Sequence, residues 1–120
     1  MWKLDDSRPI YPQLKEILLR DIITGKYSRG SAFPTVRDLA ETAGVNRNTM
    51  QRALSELESE GLIITNRTAG RTVTEDGELI NRIRADLADR IADRFIDEMM
   101  SISVDISEAI AILNTKGERK

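Results

Sequence analysis

Residues 35–63 read TVRDLAETAGVNRNTMQRALSELESEGLI, and two short helices separated by a tight turn can be placed on these letters alone. Thr35 and Asp38 stand in the hydroxyl-x-x-acid arrangement that caps a helix start, the side-chain oxygen taking one of the unsatisfied backbone N–H groups. Val36, Leu39 and Ala40 give that helix a short apolar face, and Gly44 is suited to end it. Val45, apolar within the turn, is expected to plug into the core. Asn46 then caps a second helix. Its Met50, Ala53, Leu54 and Leu57 recur at i, i+3, i+4 and i+7, and Gly61 closes it. The opposite face is Asn48, Gln51, Arg52 and Ser55, with Arg47 at the exposed N-terminal end. A helix that only had to fold would not need so many hydrogen-bonding side chains in its first two turns.

On the N-terminal side, Leu14, Ile17, Leu18 and Ile22 repeat at helical spacing after Pro12, which suits a first turn, and Gly25 stops that helix near Thr24. GKYSRGSAFP, residues 25–34, reads as a loop. On the C-terminal side, LIITN and RTVTE are short runs rich in β-branched residues around the glycine-containing turn RTAG, a hairpin pattern. From Asp76 the helical period returns. Ile80, Ile83, Leu87, Ile91, Phe95 and Met99 step by three or four, while Arg82, Asp86, Asp89, Asp93 and Asp97 lie on the far side, with Asp86 and Arg90 placed to pair at i, i+4. Ser101 or Ser103 is expected to cap a last helix that turns Ile106, Ala109, Ile110 and Leu113 inward, and NTKGERK to fray.

Composition removes most chemistry. The 120 residues contain no cysteine and no histidine, which excludes disulfides, Cys/His zinc sites, thiol nucleophiles and imidazole bases. Paired acids in an apolar setting are absent too, so an enzyme is not expected and no cofactor is implied. The opening MWKLDDSRPIYPQL carries acids and a proline where a signal peptide has its apolar stretch, and no run is long enough to span a bilayer; a cytoplasmic location is the expectation. The net charge of −2 is unevenly spread. Residues 1–75 hold eleven Lys/Arg against ten Asp/Glu, a net of +1, and residues 76–120 hold seven against ten, a net of −3. A phosphate-binding face in the front part must therefore come from where its charges sit.

Two short helices, a tight turn and a hairpin make a winged helix-turn-helix. A helix laid N-terminus first into a major groove offers its first two turns to base edges and its positive dipole end to phosphates. Arg47 has the fork that matches guanine O6 and N7, Asn48 and Gln51 the amide that matches adenine N6 and N7, and Thr49 reaches a phosphate or a thymine methyl; a good bidentate contact discriminates by about 1–3 kcal/mol. Which of these reads bases and which holds phosphate is left open by the letters. Arg52 joins the same face. Asn46 is weighed as both cap and base reader, with the cap favoured.

The stretch PIYPQLKEILLRDIITGKYSRGSAFPTVRDLAETAGVNRNTMQRALSELESEGLI resembles the N-terminal domain of GntR-family transcription regulators. FPTVRDLA is similar to the family's Leu-Pro-Ser-x-Arg-x-Leu-Ala element and VNRNTMQRALSELESEGLI to its recognition helix. The pattern from Val45 to Thr49, with the short tail, is most similar to the YtrA-like subgroup. The resemblance implies DNA contacts from Arg37, Arg47, Asn48, Thr49 and Gln51, and a close approach of the wing at Gly70. Thr35 stands where the family has serine, keeping the cap and a phosphate-reaching hydroxyl, and Arg29 where proline is common. The wing reads Thr68-Ala69-Gly70-Arg71 rather than Gly-x-Gly-Thr, so Arg67 or Arg71 is expected to meet DNA by charge instead.

The fold expected is mostly α with a small β-wing: a winged helix-turn-helix domain over residues 8–75 (helix-turn-helix 36–55, wing 62–75) and a C-terminal two-helix dimerisation region over 76–120. Leaving the apolar side chains from Ile80 to Met99 in water would forfeit roughly 1.5–3 kcal/mol each, more than one short helix can cover. With Ile106 and Ile110 they are expected to meet a second copy, as the resemblance implies for YtrA-like proteins. A homodimer would read a palindromic operator. The resemblance implies a repressor more often than an activator, and a small-molecule effector would have to use the dimer interface or the domain junction, since the tail is too short for a separate ligand domain. The alternative function is a winged helix serving as a protein-interaction module, which would want apolar residues where Asn48, Gln51 and Arg52 stand.

Overall fold

In the computed structural model, which describes residues 1–68 and 70–118, the elements in chain order are α1 (Ile10–Ile23), α2 (Val36–Ala43), α3 (Arg47–Ser59), β1 (Ile63–Asn66), β2 (Gly70–Val73), α4 (Gly77–Ser101) and α5 (Ile106–Gly117). The chain separates into two compact units, Met1–Arg82 and Ile83–Lys120. The first therefore takes in the opening turns of α4, beyond the residue 75/76 boundary drawn from the sequence.

The first unit is built around α3. Met50, Ala53, Leu54 and Leu57 are all fully buried, as their spacing predicts. They share a core with Leu14, Leu18 and Ile22 of α1, Leu39 and Ala43 of α2, and Leu62, Ile63 and Val73 of the hairpin. Both helix starts are capped as read. The Thr35 hydroxyl accepts from the Asp38 N–H at 3.1 Å, and Asn46 Oδ1 accepts from the Asn48 N–H at 2.6 Å. Gly44 ends α2 in the left-handed conformation, with φ +75°, which glycine adopts without the Cβ penalty. Val45 is half-buried in the turn.

β1 and β2 pair antiparallel in the register Ile63↔Val73, Ile64↔Thr72, Thr65↔Arg71 and Asn66↔Gly70. A two-stranded ribbon alone is marginal, and this one is held at several further points. The loop before α2 bridges to it through Ala32↔Thr72, with the Phe33 N–H donating to the Arg71 carbonyl at 2.8 Å and the Val73 N–H to the Ser31 carbonyl at 2.9 Å. Phe33 itself is buried, edge-on to Tyr27 at 5.0 Å. Lys15 ties α1 to the end of α3 through ion pairs with Glu60 and, at 3.4 Å, Glu56. Partial burial opposes the Lys15 charge, but Glu60, with Glu56 behind it, outweighs that and raises its pKa.

In the second unit α4 continues to Ser101. The residue that caps α5 is neither Ser101 nor Ser103 but Asp105, whose carboxylate accepts from the Glu108 N–H at 2.8 Å. Ser103 instead makes the turn, with φ 65°. The apolar side chains expected to point inward from α5 do not all do so. Ala109 is buried, whereas Ile106, Ile110 and Leu113 are each about half exposed, at 53%, 52% and 49%. Asp86 and Arg90 form no ion pair among the described residues, where exposed i, i+4 partners gain little over water. Residues 114–117, expected to fray, are helical, and Arg119 and Lys120 lie outside the described residues.

Candidate nucleic-acid interface

The buried stripe of α3 sets which of its side chains reach solvent. With Met50, Ala53, Leu54 and Leu57 turned inward, Arg47, Asn48 and Arg52 are exposed and Thr49 and Gln51 half-buried at the rim. The backbone at the start of α3 has one N–H taken by the Asn46 cap; those left over, together with the helix dipole, make this end attractive to anions. Arg47 has no ion-pair partner among the described residues. Arg37 stands exposed on α2, loosely paired with Glu41 at 3.5 Å between two largely solvated side chains. Such a pairing is worth little, so Arg37 is available to another anion.

Two side chains of this face already have partners. The Gln51 amide donates to Ser55 Oγ at 3.0 Å. The Arg52 guanidinium lies 3.8 Å from the centre of the Tyr11 ring of α1, a cation–π contact that restricts the position of the charged head. That contact joins residues 41 apart, and no local pattern announces it.

The wing carries the least uniform set. Arg67 is exposed at the turn, Gly70 takes φ +72° with open space around its Cα, and Ala69 lies outside the described residues. Arg71 is turned back onto the domain. Its Nε donates to Glu58 Oε1 at 3.2 Å, and only 21% of its side chain is exposed. The same oxygen accepts from the Thr65 hydroxyl at 2.6 Å. These two hydrogen bonds, Thr65 first and Arg71 second, hold the Glu58 carboxyl below its ordinary pKa. Glu58 was not among the residues singled out from the sequence.

Beside the turn, Trp2 and Leu4 are half-buried and, with Ile10, Val45 and Thr49, line a shallow cavity of about 420 Å³. Among the residues expected at a dimer interface, Ile80 and Leu87 are buried, Ile83, Phe95 and Met99 half-buried, and Ile91, Ile106 and Ile110 exposed. Ile80 lines a cavity of the first unit with Ile22 and Ile23. Among the described residues no cluster of acids or other ligating side chains could hold a metal ion, and no helix is long and apolar enough to cross a membrane.

A capped, outward-facing second helix, a helix before it and a paired hairpin after it define a winged helix-turn-helix protein. Residues 10–73 match the family described as bacterial regulatory proteins, gntR family, and the chain belongs to that family. It is 26% identical over 113 residues to YhcF, an HTH-type transcriptional regulator of Bacillus subtilis, covering 94% of this chain and 93% of that one. It is 36% identical over 72 residues to the HTH-type transcriptional repressor YtrA of the same organism, covering 60% and 55%. Among solved structures, a GntR family transcriptional regulator from Listeria monocytogenes superposes with a TM-score of 0.85 at 37% identity, over 93% of this chain and 98% of that one. The DNA-binding domain of AraR in complex with operator ORX1 superposes with a TM-score of 0.52 at 29% identity, over 62% and 90%. The protein is a GntR-family transcriptional regulator with a DNA-binding domain, and its relatives are regulators rather than enzymes.

Proposed function

We propose that the protein is a homodimeric repressor, acting in the cytoplasm, that binds a palindromic operator with the N-terminal turns of α3 in the major groove. The observation that carries this is the division of α3 into a fully buried stripe and an outward face of Arg47, Asn48, Thr49, Gln51 and Arg52, presented by the Asn46 cap. Arg37 of α2 and its cap Thr35, with Arg67 and Gly70 on the wing, flank that face as backbone contacts. Polar forks and amides at these positions suit base edges; a protein-docking version of the helix would present apolar side chains there. The repressor role is drawn from the resemblance to YtrA.

Selection from random duplexes tests the reading. A motif with two-fold symmetry should emerge, and Arg47→Ala should cost about 10- to 100-fold in discrimination at one position of each half-site, the equivalent of one bidentate contact. Recovery of no motif, or an Arg47→Ala variant that selects the same one with the same strength, defeats it.

The dimer rests on the second unit, where Ile106, Ile110 and Leu113 stand half exposed and Met100 and Ile102 more so. Burying such side chains contributes about 25 cal/mol per Å² of apolar surface, and a second copy brings the same surface. Light scattering should give twice the chain mass at micromolar concentration. Ile110→Asp, at a position where a lone chain tolerates charge, should give the single mass with the fold retained; a monomeric wild type refutes the dimer. For a small-molecule effector, the cavity of about 430 Å³ within the first unit, between the end of α1 and the start of α4 and lined by Ile22, Ile23, Tyr27, Arg29, Ile80 and Asn81, offers room.

A further inference from the structure

Glu58 sits in the last turn of α3, directly over the wing. Thr65 and Arg71, its two partners, are themselves opposite each other in the hairpin register. Residues opposite in an antiparallel pair project to the same face, so one carboxylate oxygen grips both strands at one level, with contacts of 2.6 Å to Thr65 and 3.2 Å to Arg71. On the other face of the ribbon, Asn66 donates to Thr72 Oγ1 at 2.9 Å, a bond that stays within the hairpin. Both Glu58 contacts are side-chain hydrogen bonds that run from the recognition helix to the wing.

The charge matters as much as the geometry. Arg71 is one of two arginines on the wing, yet its guanidinium Nε is occupied by a carboxylate of its own domain and the side chain is four-fifths covered. Arg67, at the tip, is exposed and has no acidic partner among the described residues. A DNA phosphate approaching the wing would compete with Glu58 for Arg71, whereas Arg67 is available at once.

We propose that Glu58 is a positioning residue of the DNA-binding surface: it locks the wing onto the recognition helix and withholds Arg71 from the DNA backbone, leaving Arg67 as the wing's phosphate contact. Sequence preference is then served twice. The wing is held at a fixed angle to α3, and one sequence-blind contact is removed from the total. This rests on the DNA-binding reading above.

The test is a salt titration of binding to the selected operator and to a random duplex, for wild type, Glu58→Gln, Arg71→Ala, the double variant and Arg67→Ala. Each phosphate contact contributes about 0.9 to the slope of log K against log salt. Arg71→Ala should leave the slope unchanged, and Arg67→Ala, which removes one contact from each copy of the dimer, should flatten it by about 1.8. Glu58→Gln should steepen it by a similar amount, raise random-duplex affinity and lower the operator-to-random ratio. The double variant should lose that gain, which separates a freed Arg71 from the mere removal of a negative charge near DNA. Thermal melts of the same variants separate a binding effect from a folding one. A gain that persists in the double variant, or a slope that flattens in Arg71→Ala, overturns the inference while leaving the DNA reading intact. A wild type that binds neither duplex overturns that reading as well.

Discussion

Replacing Asn46 with alanine tests the junction on which the interface depends. Its Oδ1 accepts the Asn48 N–H at 2.6 Å, and the residue is exposed. Removing the oxygen leaves that N–H to water rather than orphaned in the core, so the cost should be the usual one for a lost cap, about 1 kcal/mol. In a unit the size of Met1–Arg82, this corresponds to a fall of about 4–8 °C in melting temperature. Melts should be run at one protein concentration, because association shifts the midpoint. Asn46→Ser keeps a capping oxygen and should melt within a fraction of that interval. Duplex titration of the serine variant then divides the two roles: binding like wild type marks Asn46 as a cap, and a loss confined to the operator marks it as a base reader too. An alanine variant that melts with the wild type, or a serine variant as unstable as alanine, would refute the reasoning.

The remaining expectations concern the core, the turns and pH. Leu57→Ala, at a fully buried position beneath the outward face of α3, should lower stability by about 2–5 kcal/mol, seen in urea as a lower midpoint at unchanged slope. Gly44→Ala should lower the melting temperature, because Gly44 ends α2 at φ +75°, a conformation strained for any side chain, while the exposed Met1 side chain beside it can move aside. Glu58 has a folded pKa below its ordinary 4.5, so its contribution is complete above about that pH and is lost as pH falls through the lower folded value. The stability difference between wild type and Glu58→Gln should therefore shrink in acid. It should be small throughout, since the Glu58 side chain is more than a third exposed and screened.

What was legible from the letters was what depends on neighbours three or four residues away. The caps of α2 and α3 are hydrogen bonds within a single turn, and the buried stripe of α3 is a repeat along one helix, so both follow from spacing. The start of α5 is of the same local kind: Asp105 followed by Glu108 is an acid-capped pattern, and the carboxylate takes the cap rather than Ser101 or Ser103. The inward placement of Ile106, Ile110 and Leu113 failed for a different reason. Helical spacing says which side chains share a face, and nothing about whether one chain has anything to set against it.

The amino-acid sequence by itself determined the winged helix-turn-helix, the orientation of α3 about its own axis and hence the identity of the outward residues, because periodicity and caps are short-range physics. The tertiary structure alone decided which of those residues are free. Arg52 is stacked on Tyr11 from a helix 41 residues earlier, and Arg71 is claimed by Glu58 because hairpin register brings Thr65 and Arg71 level beneath the end of α3. An arginine looks equally available anywhere in a string of letters; its partner is settled only when distant segments of the chain pack together.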